Sequence, residues 1–168
     1  MKIEIFDNAK KKKFIDEVSD LGIEKIPYLL FKTGNERLRA FNGSFTKVEI
    51  MEIWRNFPVE GIGLYLGKQM VDKKTGKKES RLSIDALHLL KEQVTAKVIL
   101  NKEQETLWFR GKDIELNEEQ VSKFKGSDFV AVVSGENNQE DIIGTGKITS
   151  DKKMLGNFLP KERRRKEM

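Results

Sequence analysis

The sequence predicts an α+β protein of two modules: an N-terminal α/β module over residues 1–91, and a small β-barrel with one or two helices over residues 94–168. Three observations carry this. Helix starts are marked by capping residues, a Thr46–Glu49 box, Asn101 with Gln104 three residues on, and Asn117. Short alternating or glycine-punctuated apolar segments bounded by turn residues recur along the chain, the mark of strands. The charge is also unevenly placed. The chain carries a net +5, and the residues from Lys147 onward, with eight Lys or Arg against three acids, hold all of it.

In the first module, residues 2–6 alternate as a short strand. Asp7 or Asn8 caps a helix over 9–21 with Phe14, Val18 and Leu21 on one face and Gly22 beyond its end. Lys10 to Lys13 fall in its first turn, where the helix dipole disfavours cations. Two readings stand for that run, a phosphate-facing surface or a solvated one. Residues 26–32 and 36–41 read as strands joined by a Thr33-Gly34-Asn35 turn. The helix capped by Thr46 places Ile50, Ile53, Trp54 and Phe57 on a core-facing stripe, with Phe45 and Ile50 at staple spacing and Pro58 as its stop.

Residues 61–67 (GIGLYLG) form an apolar strand. Residues 73–78 make a lysine-rich turn, a soluble loop or a second contact for a nucleic-acid backbone, and the return begins at Arg81. Ser83 caps a helix running to Lys91. Neither Gly63–Lys68 nor Gly144–Lys147 makes a phosphate loop: Ile62 and Asp141 stand where the leading glycine belongs, and Gln69 and Ile148 follow the lysines where a hydroxyl is needed.

In the second module, a strand over 95–100 leads into the Asn101 helix, which ends at Gly111. A short Asn117 helix ends at Gly126, and strands follow over 128–133 and 142–148, joined by a polar loop over 135–141. The chain then runs through Lys152 and Lys153 into an Asn-Phe-Leu-Pro turn and the basic run Lys161, Arg163, Arg164, Arg165. A focused basic patch beside apolar residues is the electrostatic footprint of a nucleic-acid binder, and a solvated tail is the alternative. Phe158 reads as a buried plug beneath Pro160 or as a stacking platform.

Composition limits the chemistry. The absence of Cys excludes disulfides, thiolate metal sites and cysteine nucleophiles, and the single His88 excludes a multi-histidine metal site. Asp85 and Asp113 belong to no recognisable acid/base pair, so no catalytic residue, metal or cofactor is expected and the chain does not read as an enzyme. No segment has signal-peptide or membrane-spanning character, so a cytoplasmic protein with no membrane association is expected.

Residues 94–168 resemble a PUA domain, an RNA-binding module. The resemblance rests on Trp108-Phe109-Arg110-Gly111-Lys112-Asp113-Ile114, the strand 129–133 and Ile143-Gly144-Thr145-Gly146-Lys147. More narrowly, residues 61–67 and 81–87 and the closing Asn157-Phe158-Leu159-Pro160-Lys161-Glu162-Arg163-Arg164 are similar to the C-terminal region of Sun-family RNA cytosine-5 methyltransferases. A small ribosome-biogenesis family with pre-PUA plus PUA organisation is a more distant likeness. The methyltransferases need a cysteine nucleophile and a donor-binding domain, and this chain has no Cys.

The resemblance implies a non-catalytic, PUA-like RNA-binding module acting on rRNA or tRNA. In it the turn after the first helix and the last strand face RNA, which places Arg110, Gly111, Lys112, Gly144, Gly146 and Lys147 along a groove. Glycines there would let a sugar-phosphate backbone approach main-chain N–H groups, while the cations neutralise phosphates. An RNA-modifying enzyme or pre-ribosomal proteins are the implied partners, and an adaptor that recruits such an enzyme is the alternative role. Asn157 to Arg164 are expected to be ordered against the barrel. Truncation after Ser150 is expected to abolish most of the salt dependence of RNA binding.

Overall fold

The computed structural model describes residues 2–73, 75–126, 128–135 and 140–166. Lys74 of the lysine turn, residues 136–139 of the polar loop and the last two residues lie outside the described residues. The protein is α+β and divides into two compact units, residues 1–19 with 23–89, and residues 20–22 with 90–168. No helix among the described residues is long and apolar enough to cross a membrane.

The first unit is one antiparallel sheet in the order β1 (Ile3–Ile5), β2 (Leu29–Thr33), β3 (Arg37–Phe41), β4 (Leu64–Val71), β5 (Lys78–Leu82), with helices α1 (Asn8–Val18), α2 (Lys47–Asn56) and α3 (Ile84–Leu89). Asp7 caps α1 by accepting the Lys10 N–H at 2.8 Å, and Phe14 and Val18 are its buried residues. The Thr46–Glu49 capping box forms in both directions. The apolar stripe of α2 is less covered than its spacing suggests. Ile50 is buried, Trp54 is only half-buried, and Phe57 is 63% exposed. Phe45, expected to staple onto Ile50, is itself exposed and stacks on Phe41 with centroids 6.1 Å apart.

Strand β4 starts three residues later than expected and runs on to Val71. Gly63 has φ +72, and Arg39 Nη1 donates to its carbonyl at 2.9 Å, so residues 61–63 leave the strand geometry. The extra length at the other end comes from β5, which pairs Lys78 with Val71.

The second unit holds β6 (Lys97–Leu100), α4 (Lys102–Phe109), β7 (Ile114–Glu115), α5 (Glu118–Val121), β8 (Phe129–Ser134), β9 (Asp141–Ile148) and β10 (Met154–Asn157). The sheet order is β6-β8-β9-β10-β7, with β6 and β8 parallel and the other pairs antiparallel. Val130 to Val133 of β8 are buried on both faces, as befits a strand hydrogen-bonded on both edges, to β6 and β9. Strand β10 was not expected from the sequence, which reads there as a turn.

The ends of this sheet are joined through side chains. Asn101 and Asn117 each cap a helix with a glutamine at the third position, Gln104 and Gln120. Gln104 Nε2 donates to the Glu115 carbonyl of β7 at 2.9 Å, and Gln120 Nε2 to the Ile99 carbonyl of β6 at 2.7 Å. The two amides also donate to each other, at 3.2 and 3.0 Å. Each oxygen further accepts its own cap's N–H, so both amides use all their donors. Gln120→Glu removes both donations and sets a carboxylate against two acceptors. It is expected to lower the stability of this unit by about 2–3 kcal/mol, measured by denaturant titration of Trp108 fluorescence in a Trp54→Phe background. A loss below about 0.5 kcal/mol, the range of an ordinary surface substitution, would show that the pair contributes nothing beyond the two caps.

Candidate nucleic-acid interface

The turn after α4 is built by hydrogen bonds from its own sequence. Gly111 N donates to Trp108 O at 2.9 Å and Lys112 N to Leu107 O at 3.1 Å, the two bonds of a Schellman stop, with Gly111 at φ +79. Arg110 and Lys112 therefore flank a fixed glycine, and both are exposed.

The closing segment is clamped onto this turn. Asn157 Nδ2 donates to Trp108 O at 2.8 Å and Lys112 O at 2.9 Å, and Asn157 N donates to Asp113 Oδ1 at 2.8 Å. Asn157 Oδ1 accepts from Leu159 N, and Leu159 is buried. The plug of the closing turn is thus Leu159; Phe158 is 37% exposed. After a 3-10 turn (Lys161–Arg163), Arg164 Nε donates to Leu159 O at 3.0 Å and its side chain lies over Gly111, where an added Cβ would come within 2.6 Å of it. Arg165 N donates to Phe109 O at 2.7 Å, and its guanidinium sits 4.7 Å from the Phe109 ring centroid. The ordering of 157–164 against the unit matches expectation. Arg164 and Arg165, however, spend part of their bonding capacity on holding the segment.

Two expected groove residues lie elsewhere. Gly144 and Gly146 are buried on β9, paired with Val132 and Val130 of β8. A Cβ on Gly144 would meet Trp108 Cζ2 at 2.7 Å, and one on Gly146 would meet Leu155 Cδ1 at 2.5 Å. Their missing side chains make room for the core, and this corrects the reading that they admit a phosphate backbone. Lys147, the next residue out, is half-buried with Nζ 5.0 Å from the Phe129 ring centroid. Phe129 in turn meets Phe158 edge-on at 5.8 Å. These two phenylalanines extend the candidate surface. Phe129 carried no sequence signal beyond strand propensity.

Lys152 and Lys153 sit in the β9–β10 hairpin, four to five residues along β10 from Asn157, roughly 13–17 Å at strand rise. They are not gathered with the arginines. Asp151 Oδ1 accepts from Thr149 Oγ1 and Lys153 N, contacts that hold its carboxyl below the usual carboxylate range, the Thr149 bond first. These bonds are present above the ordinary carboxylate pKa and are lost as pH falls through the lowered one. Lys152 has φ +59, the one positive φ at a non-glycine among the described residues. Lys152→Gly is expected to raise stability by up to about 1 kcal/mol, measured as a rise in Tm; a fall would show that the lysine side chain offsets its backbone strain.

The geometry thus brings together Arg110, Gly111, Lys112, Lys161, Arg163, Arg164 and Arg165 around the end of α4, with Lys147, Phe129 and Phe158 on the β8–β9 side of the same closing segment. Cations on an ordered backbone with half-exposed aromatics beside them can pair with phosphates and stack on bases. Among the described residues no three His, Asp or Glu side chains gather as a metal site. No protein-family model and no curated protein matches the chain.

Proposed function

We propose that this is a non-catalytic RNA-binding protein whose C-terminal unit is PUA-like and which acts in rRNA or tRNA modification or in ribosome biogenesis. One observation carries the reading: the Asn157 clamp turns the basic closing segment into an ordered surface beside Arg110 and Lys112. A preformed set of cations binds without the ordering cost that a loose tail would meet. The parallel β6–β8 pair with two capped helices between, and a last strand β10 leading into the clamp, support the PUA likeness.

The test is a fluorescence-anisotropy titration with a labelled single-stranded RNA across salt concentrations. The expected log–log slope is roughly −3 to −4, for four to six phosphate contacts on a single strand; a slope near zero would sink the reading. Truncation after Ser150 does not test the surface by itself. It would delete β10, which pairs with both β9 and β7, and so would remove fold and surface together.

A specific feature also favours the adaptor role. Phe45, Val48 and Phe57 on and around α2 are 49%, 66% and 63% exposed, and Val48, within the helix itself, is the most open of the three to a protein partner. Co-purifying proteins that survive RNase treatment and are lost in Val48→Asp would support it; partners released by RNase would count against it.

A further inference from the structure

The first unit contains a second cationic site that the RNA reading does not use. Lys10, Lys13 and Glu17 are spaced i, i+3, i+7 on α1 and so share one face. That face, with Glu4 of β1, Lys32 of β2, Gln69 of β4 and Lys78 of β5, lines a pocket of about 100 Å³. Four lysines against two glutamates leave it at net +2.

The two carboxylates are already engaged. Glu4 pairs with Lys10, which lowers the Glu4 pKa and raises that of Lys10. Glu17 accepts from Gln69 Nε2 at 3.0 and 2.9 Å and from the Ser80 hydroxyl, all neutral donors. Gln69 Oε1 accepts from Lys32 Nζ at 3.3 Å, which fixes its amide. Among the described residues, no carboxylate oxygen lies within 4.0 Å of the ammonium of Lys13, Lys32 or Lys78. Three cations from three elements thus line one small space with none of them in an ion pair among the described residues, and the pocket's two glutamates offset only part of its positive charge.

Size and charge select the ligand. Pockets that enclose a drug-sized molecule run to about 300–1,000 Å³, so this one has room for a single small oxyanion. A phosphodiester brings one charge, whereas a phosphomonoester carries about −1.5 to −2 at neutral pH. We propose that this pocket binds a phosphate dianion, either free inorganic phosphate or the terminal phosphate of a larger ligand whose remainder stays outside. The proposal is independent of RNA binding by the second unit.

The experiment is a titration of the full chain with inorganic phosphate, followed by backbone amide NMR shifts. Shifts are expected to concentrate on α1, β2 and β5, and Lys32→Gln and Lys78→Gln are each expected to weaken binding about tenfold. Lys12→Gln is the control; Lys12 is exposed and does not line the pocket. No shifts at about 10 mM phosphate, or equal losses in all three variants, would overturn the proposal, the latter by showing diffuse charge instead of a site. A short oligoribonucleotide bearing either a 5′-phosphate or a 5′-hydroxyl then separates the two sources. A 5′-phosphate preference that disappears in Lys78→Gln supports a terminal phosphate as the ligand; no preference, with inorganic phosphate bound, supports the free anion.

Discussion

Gly144→Ala is expected to destabilise the C-terminal unit by about 1–3 kcal/mol, the usual range for overpacking a filled core, and to leave the RNA affinity of the folded protein unchanged. The new methyl would stand 2.7 Å from Trp108 Cζ2 and 3.0 Å from Nε1. Trp108 is fully buried and its indole N–H reaches Ile143 O at 3.4 Å, so the ring has no free direction to yield. Removing a glycine also restricts the unfolded chain, which offsets about 0.4–1 kcal/mol, less than the upper range of the clash. For a unit of this size each kcal/mol moves Tm by about 4–8 °C. The pair of readouts separates two roles for one residue. A core glycine loses stability and keeps affinity; a glycine that admits a phosphate backbone would do the reverse, and that result would restore Gly144 to the binding surface.

The same residue shows what the sequence could and could not disclose. A glycine in an alternating strand carries one signal for two causes, because an absent side chain makes room equally for a ligand backbone and for an indole ring. Only the position of Trp108, brought to β9 by the fold, decides between them. The caps at Thr46, Asn101 and Asn117 were legible because each is made by residues three apart. The joining of Gln104 to Gln120 was not, since two separate local motifs meet only in the folded unit. Strand β10 is four residues long, includes Gly156, and owes its existence to partners on β9 and β7. Asn157 was part of a suggestive ending, yet its clamp depends on carbonyls 45 and 49 residues earlier. The N-terminal pocket was half visible: the lysines of α1 stood out against the dipole, while Lys32, Gln69 and Lys78 arrive from separate strands.

Neutralising the exposed cations should produce the largest functional effect. Arg110, Lys112 and Lys161 are exposed, and among the described residues their side chains make no hydrogen bond or ion pair. The triple variant Arg110→Gln, Lys112→Gln, Lys161→Gln therefore changes charge without touching the clamp. With about 0.7 of a counterion released per phosphate contact on single-stranded RNA, three lost contacts should flatten the log–log salt slope by about 2 and weaken binding at physiological salt about 50-fold. Arg164→Gln is a different experiment, because its Nε bond to Leu159 O and its packing over Gly111 hold the segment in place. Lys152→Gln with Lys153→Gln probes the hairpin end of β10. If that pair flattens the slope by about 1.4, two contacts' worth, the bound strand runs the length of β10; if it has no effect, RNA is confined to the end of α4. A triple variant with unchanged slope and affinity would remove this surface from the function altogether, whatever the C-terminal unit binds elsewhere.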